Sequence, residues 1–278
     1  MSYLVNPYMV VASAEGITEA FASAGYDGSY NNDTSEFDGS VWASNGNTTY
    51  SAKGLYGSAN NGNATAFMAG GWSGSSVLDT TSNYNGSAWS DSGTLPNPTQ
   101  EANQGAGDNT DGLSAGGKNG GASQTWSQSY DGSTWTVENG LPSARRMGGM
   151  GGTASSAIYI TSYYNQGISS IWDGTSWSNI TNNPLSVYAG IAGAEDSDNA
   201  IYNWNTTTNS WNGSAWASET ASGIDCRTGG GGGHSTAFLI FGGYSQDESE
   251  TYNGTSWTTQ GDVSYTSSDG ASGGAQVS

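Results

Sequence analysis

Tyr130-Asp131-Gly132-Ser133-Thr134-Trp135 is one of six near-copies of a single hexapeptide, and its reading decides the fold. The other copies are FDGSVW (37–42), YNGSAW (84–89), WDGTSW (172–177), WNGSAW (211–216) and YNGTSW (252–257). Each runs aromatic, Asp or Asn, Gly, Ser or Thr, a variable residue, Trp. Asp-Gly or Asn-Gly between two aromatic-containing runs is a strong hairpin signal, because both residues tolerate the positive φ that a tight turn demands. Each hexapeptide is therefore expected to join two strands. Its aromatic closes one strand and its Trp opens the next, so both rings can pack between neighbouring units. The structural repeat residues Trp42, Trp89, Trp135, Trp177, Trp216 and Trp257 recur every 39–47 residues, the length of one propeller blade.

Upstream of the turns lie short apolar strands that often end in paired glycines. These are Phe67-Met68-Ala69-Gly70-Gly71, Leu113-Ser114-Ala115-Gly116-Gly117 and Phe238-Leu239-Ile240-Phe241-Gly242-Gly243, with less regular equivalents at 21–25, 158–161 and 201–204. Gly-rich segments such as 147–152 and 229–233 precede them and are expected to form innermost strands, where a side chain would collide with its neighbours. Two segments compete for the inner strand of the first blade, residues 8–14 and residues 270–277. If the second closes the ring within 262–278, residues 1–7 become an arm free to contact a neighbouring subunit, in a homo-oligomer, or a particle surface.

Composition agrees with a mainly β chain. Among 278 residues, 44 are Gly and 5 are Pro, and short polar residues fill much of the rest, which disfavours long helices. Hydrophobic content is only 34%, yet 11 Trp and 16 Tyr supply the core that a disordered chain would lack. Five basic residues (Lys53, Lys118, Arg145, Arg146, Arg227) face 24 acidic ones, so nucleic acid and anionic membrane surfaces should be repelled. No stretch approaches the roughly 20 apolar residues that span a bilayer, and the start of the chain lacks the pattern of a secretory signal. A single cysteine, Cys226, excludes an intrachain disulfide framework, and with one His it cannot build a finger-type zinc site.

Apolar strand, double glycine, aromatic, turn and Trp together resemble the kelch repeat, whose family forms propellers of four-stranded blades. The resemblance covers nearly the whole chain. It implies an all-β, six-bladed kelch-like β-propeller occupying 1–278 as a single domain, with strand register open in blades four and five, which lack the double glycine. The Gly/Asn/Ser-rich form with its repeated N-G-S/T-x-W is also similar to kelch-like modules in structural and tail-fibre-type proteins of phages from aquatic bacteria. That similarity implies a virion component, a head decoration or a tail-associated adhesin, whose partners are other virion proteins or host-surface glycans. The acidic surface fits a marine or otherwise saline setting. A glycan-binding lectin or cell-surface adhesin, extracellular rather than particle-borne, is the alternative; Trp72, Trp126 and Trp204, outside the hexapeptide's Trp position, are its candidate sugar-stacking residues.

Catalysis is not expected, nor is a cofactor or a metal. Kelch propellers include copper-radical oxidases, but these need more than one His, and only His234 is present. SYDGSTW (129–135) resembles the aspartate box of sialidases, one residue shorter between Asp and Gly, but the arginine cluster that such enzymes use to hold a substrate carboxylate is missing. The groups Glu195, Asp196 and Asp198, or Glu248 and Glu250, read as solvated acidic loops rather than paired catalytic carboxylates. Asp27, Asp33 and Asp38 lack calcium-loop spacing. The sequons at Asn85, Asn212 and Asn253 are explained by the turn itself.

Overall fold

A run of apolar residues in which both alternate faces are buried belongs in a strand covered on two sides. The computed structural model, which describes residues 17, 19–26, 29–58, 63–102, 104–160, 167–185, 190–226, 229–243, 246–263 and 271–274, places such runs as the second strand of six four-stranded antiparallel sheets. From the inside outward, blade 2 is Tyr56–Ser58, Phe67–Ala69, Thr81–Tyr84 and Trp89–Asp91. Blade 3 is Ala106–Gly107, Gly112–Ala115, Ser127–Tyr130 and Trp135–Glu138, and blade 4 is Gly149–Gly152, Ala157–Ile160, Ser169–Trp172 and Trp177–Asn179. Blade 5 is Ile191–Asp196, Asn199–Trp204, Thr207–Trp211 and Trp216–Ser218, and blade 6 is Gly230–His234, Ala237–Gly243, Gln246–Tyr252 and Trp257–Thr259. Blade 1 departs from this order. Its Ala20–Tyr26, Tyr30–Phe37 and Trp42–Asn47 are completed on the inside by Ala271–Gly274, which pairs antiparallel with Ala20–Tyr26. Residues 1–7 and 8–14 lie outside the described residues. Neighbouring inner strands contact one another around the whole circle, giving a six-bladed β-propeller.

The core is divided among six seams. Period-two alternation sends successive residues of one second strand to opposite seams. Phe67 and Ala69 join Tyr130 and Trp135 between blades 2 and 3, while Met68 joins Phe21, Tyr84 and Trp89 between blades 1 and 2. Ile158 and Ile160 face blade 5, and Ala157 and Tyr159 face blade 3. Phe238 and Ile240 face blade 5, and Leu239 and Phe241 face blade 1. Blade 5, without a double glycine, still pairs in continuous register from Ala200↔Trp211 to Trp204↔Thr207, with Asn205 supplying the left-handed turn residue at φ 57°. Asn carries that conformation at less cost than most residues.

Each hexapeptide pairs its two aromatics across the hairpin, as in Tyr130↔Trp135, whose rings stack at 4.8 Å. The turn chemistry differs from the sequence expectation at one point. Only the glycine takes positive φ, for example 92° at Gly132; the preceding Asp or Asn does not. Its role is that of an acceptor. Asp131 Oδ1 receives the backbone N–H of Ser133 (2.9 Å) and Thr134 (2.7 Å), and Asp38, Asn85, Asp173, Asn212 and Asn253 do the same in their loops. A side-chain oxygen reaching two residues ahead replaces the backbone acceptor that a two-residue turn would have used.

The Trp of each blade leans on the preceding blade. Trp89 Nε1–H donates to Thr34 Oγ1 (2.9 Å), Trp135 to Thr81 Oγ1 (2.8 Å), Trp177 to Ser127 Oγ (2.8 Å) and Trp42 to Ser249 Oγ (3.2 Å). All four acceptors stand three residues before a hexapeptide aromatic, and Ser169 and Thr208 hold that place in blades 4 and 5. There the tether shifts outward. Trp216 and Trp257 are only partly buried and donate to the carbonyls of Thr181 (2.9 Å) and Thr220 (2.8 Å). The Ser169 hydroxyl is left buried with no partner among the described residues.

At the axis the inner strands approach too closely for side chains. A Cβ on Gly149 would lie 2.7 Å from the Ala192 Cβ, and one on Gly193 would lie 2.5 Å from the Gly233 carbonyl oxygen. Gln104, buried just before the inner strand of blade 3, spans this narrow space. Its Nε2 donates to the carbonyls of Ala192 (2.8 Å) and Gly231 (3.1 Å), and its Oε1 accepts from the N–H of Ala192 (2.9 Å) and Met150 (3.2 Å). One amide thereby uses both donors and both acceptor sites to join blades 4, 5 and 6 to blade 3.

Candidate functional site

Antiparallel strands alternate in direction, so each blade has two unlike ends. One end carries the hexapeptide turns and the turns joining first to second strands. This end is acidic, with Asp38, Asp108, Asp131, Asp173, Glu195, Asp196 and Asp198. Several of these carboxylates serve the backbone. Asp108 Oδ1 accepts from Thr110 and Asp111 N–H, and Asp196 Oδ1 accepts from Asp198 and Asn199 N–H. Hydrogen bonds from Val41, from Thr134 and from Ser176 hold Asp38, Asp131 and Asp173 below the usual carboxylate range. His234 lies here too, its Nδ1 facing Thr236; burial lowers its pKa and Glu195 partly restores it. Glu195 and Asp196 thus end the inner strand of blade 5 and Asp198 sits in the turn that follows, and among the described residues no group of three or more His, Cys, Asp or Glu is placed to hold a metal.

The other end carries the second-to-third connections and the links between blades. Every described basic residue, Lys53, Lys118, Arg145 and Arg146, sits there; Arg227 lies outside the described residues. Local backbone bridges draw them together across the seams, pairing Lys53 with Trp72, Gln100 with Lys118 and Gln124 with Arg145. Paired glycines allow this approach. Gly71 N–H donates to the Thr99 carbonyl at 2.8 Å, and a Cβ on neighbouring Gly70, at φ 71°, would meet that oxygen at 2.6 Å.

Three of these cations already have polar partners. Glu101 receives Lys118 Nζ on Oε1 (2.7 Å) and Arg146 on Oε2 (3.1 Å). Arg145 is fully buried and donates to neutral acceptors, Ser170 Oγ at 2.7 Å and Asn179 Oδ1 at 3.0 Å, with its guanidinium 5.6 Å from the Tyr159 ring. Burial lowers the Arg145 pKa and pushes the Tyr159 hydroxyl up to about 12. Lys53 differs. Its ammonium stands 4.7 Å over the Tyr26 ring, and no ion pair or hydrogen bond engages it among the described residues.

Around Lys53 the aromatics gather. Tyr26 and Tyr30 close their hairpin as a directly opposed pair, with ring centroids 5.1 Å apart. Tyr30 lies against Gly74, where a Cβ would fall 2.7 Å from its Cε2. Trp72 is the antiparallel partner of Lys53, which puts both side chains on one side of the ribbon. Tyr26, Tyr30, Lys53 and Trp72 are all partly exposed. Sequence reasoning singled out Trp72 but not the two tyrosines, whose spacing around 27–29 marks them as facing hairpin residues. Trp126 and Trp204 share this end of the molecule but belong to blades 3 and 5. Trp126 accepts the Gly116 N–H on its carbonyl (2.8 Å), and Trp204 packs against the core between blades 4 and 5.

No family model matches the chain, and no curated protein matches it. Among solved structures, that of YjhT is similar in fold, with TM-score 0.63 over 81% of this chain and 88% of the other at 12% sequence identity.

Proposed function

We propose that the chain is a non-enzymatic binding propeller of a virion, a head decoration or tail-associated module, and that it meets host-surface glycans through the end bearing the connections between blades. The observation that carries this reading is the partly exposed cluster of Tyr26, Tyr30, Trp72 and Lys53 on the seam between blades 1 and 2. Aromatic faces stack on the C–H faces of sugar rings, and a cation beside them donates hydrogen bonds to hydroxyls. At the axis the Gln104 amide is engaged with the backbone of blades 4, 5 and 6. A rigid disc with small inner residues and a core distributed over its seams suits display on a particle, where the fold must persist without a partner.

Two measurements test the reading. Immunogold microscopy with antibody to this chain should label a virus head or tail; label confined to cell surfaces or medium favours the lectin or adhesin instead. A glycan array probed with the purified chain should give binding that Tyr30→Ala together with Trp72→Ala abolishes while the melting transition is retained. Binding that survives both substitutions refutes the assignment to this seam.

A further inference from the structure

Resting on the carbohydrate reading above, we infer that the seam between blades 1 and 2 selects acidic sugars, with the Lys53 ammonium receiving a carboxylate or sulfate while Tyr26, Tyr30 and Trp72 hold the ring. The argument begins with scarcity. Carboxylates outnumber basic residues 24 to 5, so a lysine without a carboxylate partner is the exception to be explained. Lys118 and Arg146 share Glu101, and Arg145 is enclosed by neutral acceptors. Arg145 also lies over a ring, that of Tyr159, but it is buried and hydrogen-bonded; Lys53 is the one described cation that is partly exposed and whose charged group has only an aromatic face, that of Tyr26, as its partner among the described residues. A cation–π contact at a partly exposed site is weak, so an arriving anion can draw the ammonium away from Tyr26 at little cost. A charge-assisted hydrogen bond to a carboxylate is stronger than the contact it replaces.

Position supports the same ligand. Lys53 is fixed by paired backbone hydrogen bonds with Trp72, its N–H donating to the Trp72 carbonyl at 3.2 Å and its carbonyl accepting the Trp72 N–H at 2.9 Å. Charge and indole therefore emerge side by side from one ribbon, and on the adjoining blade Tyr26, tilted at 58° against Tyr30, lies under the ammonium. A sugar ring carrying a single acidic substituent satisfies both features together. Because the chain as a whole is strongly negative, long polyanions are disfavoured by general repulsion, and short glycans or chain ends with isolated acidic units are selected.

The test is a printed array of neutral, carboxylated and sulfated oligosaccharides, followed by calorimetry on matched acidic and neutral members, with the wild-type chain, Lys53→Gln and Lys53→Arg. Acidic members should bind about tenfold or more tightly than their neutral counterparts, the size of one charge-assisted hydrogen bond. Lys53→Gln should erase that difference, and Lys53→Arg should keep most of it, with unchanged melting transitions showing that the seam is intact. Equal binding of neutral and acidic members, unaffected by Lys53→Gln, overturns acidic selectivity and leaves the carbohydrate reading standing. Absence of binding to every member overturns both.

Discussion

Replacing Gln104 by Leu keeps the side-chain bulk and removes the amide. Four buried groups then lose their partner: the carbonyls of Ala192 and Gly231 and the N–H groups of Ala192 and Met150. An unsatisfied buried polar group costs about 1–3 kcal/mol. Even at the low end the four sum to about 4 kcal/mol, a large fraction of the 5–15 kcal/mol by which domains are stable. In a chain of this size the melting temperature should fall by about 10 °C. Gln104→Glu gives a sharper test. Its carboxylate can accept the two N–H groups but must face two carbonyl oxygens, so its pKa in the folded protein is raised. A raised carboxyl pKa contributes stability that is complete below the unfolded value, about pH 4.3, and is lost as pH rises through the folded value. Urea unfolding should therefore find Gln104→Glu close to wild type at pH 4 and well below it at pH 7. A loss under 1 kcal/mol for Gln104→Leu, with a pH-independent deficit for Gln104→Glu, would refute the claim that this amide holds the axis together.

Three further outcomes follow from the seams and turns. Thr34→Val strands the buried indole N–H of Trp89 and should cost about 1–3 kcal/mol in urea unfolding, whereas Ser169→Ala removes a buried hydroxyl without a described partner and should be neutral or stabilising. Asp38, Asp131 and Asp173 have depressed pKa values in the folded chain, so they stabilise it above the unfolded value near pH 3.9 and cease to do so as pH falls through the folded values; converting all three to Asn should flatten the drop in melting temperature below pH 4. Cys226 is fully buried, its thiol pKa pushed up chiefly by that burial and its Sγ directed at Asn203 Oδ1 (2.8 Å), so iodoacetamide should label it only after denaturant is added, as read by mass spectrometry.

The architecture was legible because the hexapeptide repeats both the aromatic pair and the turn, and because glycine-rich segments mark where inner strands crowd. What escaped was chemistry spread between blades. The Ser or Thr three residues before each aromatic is visible in all six repeats, yet in four of them its meaning depends on a Trp one blade further on, some fifty residues along the chain or, for Ser249, across the closure of the ring. Gln104 carries no local signal, since a single glutamine in a loop acquires its role only when three other blades surround it. The Asp or Asn of the turn was recognised, but its side-chain acceptor role and its tolerance of φ > 0 both favour the same residue types, and composition cannot separate them. For the candidate site, Trp72 stood out as an irregular tryptophan. Tyr26, Tyr30 and Lys53 became neighbours only through the seam between blades 1 and 2.

The completion of blade 1 by Ala271–Gly274 has a consequence for biosynthesis. Chains emerge from the ribosome N-terminus first, at about 5–20 residues per second. Blades 2 to 6 can each assemble from contiguous sequence as they appear, but the strands of blade 1, made before them, must wait, with Ala20–Tyr26 lacking its inner neighbour, until Ala271–Gly274 has followed all five. An exposed apolar edge is an invitation to pair with another chain. Loss of residues 271–274 should therefore be far more damaging than the removal of one short strand suggests, because the unfinished ring keeps that edge available to every nascent copy around it.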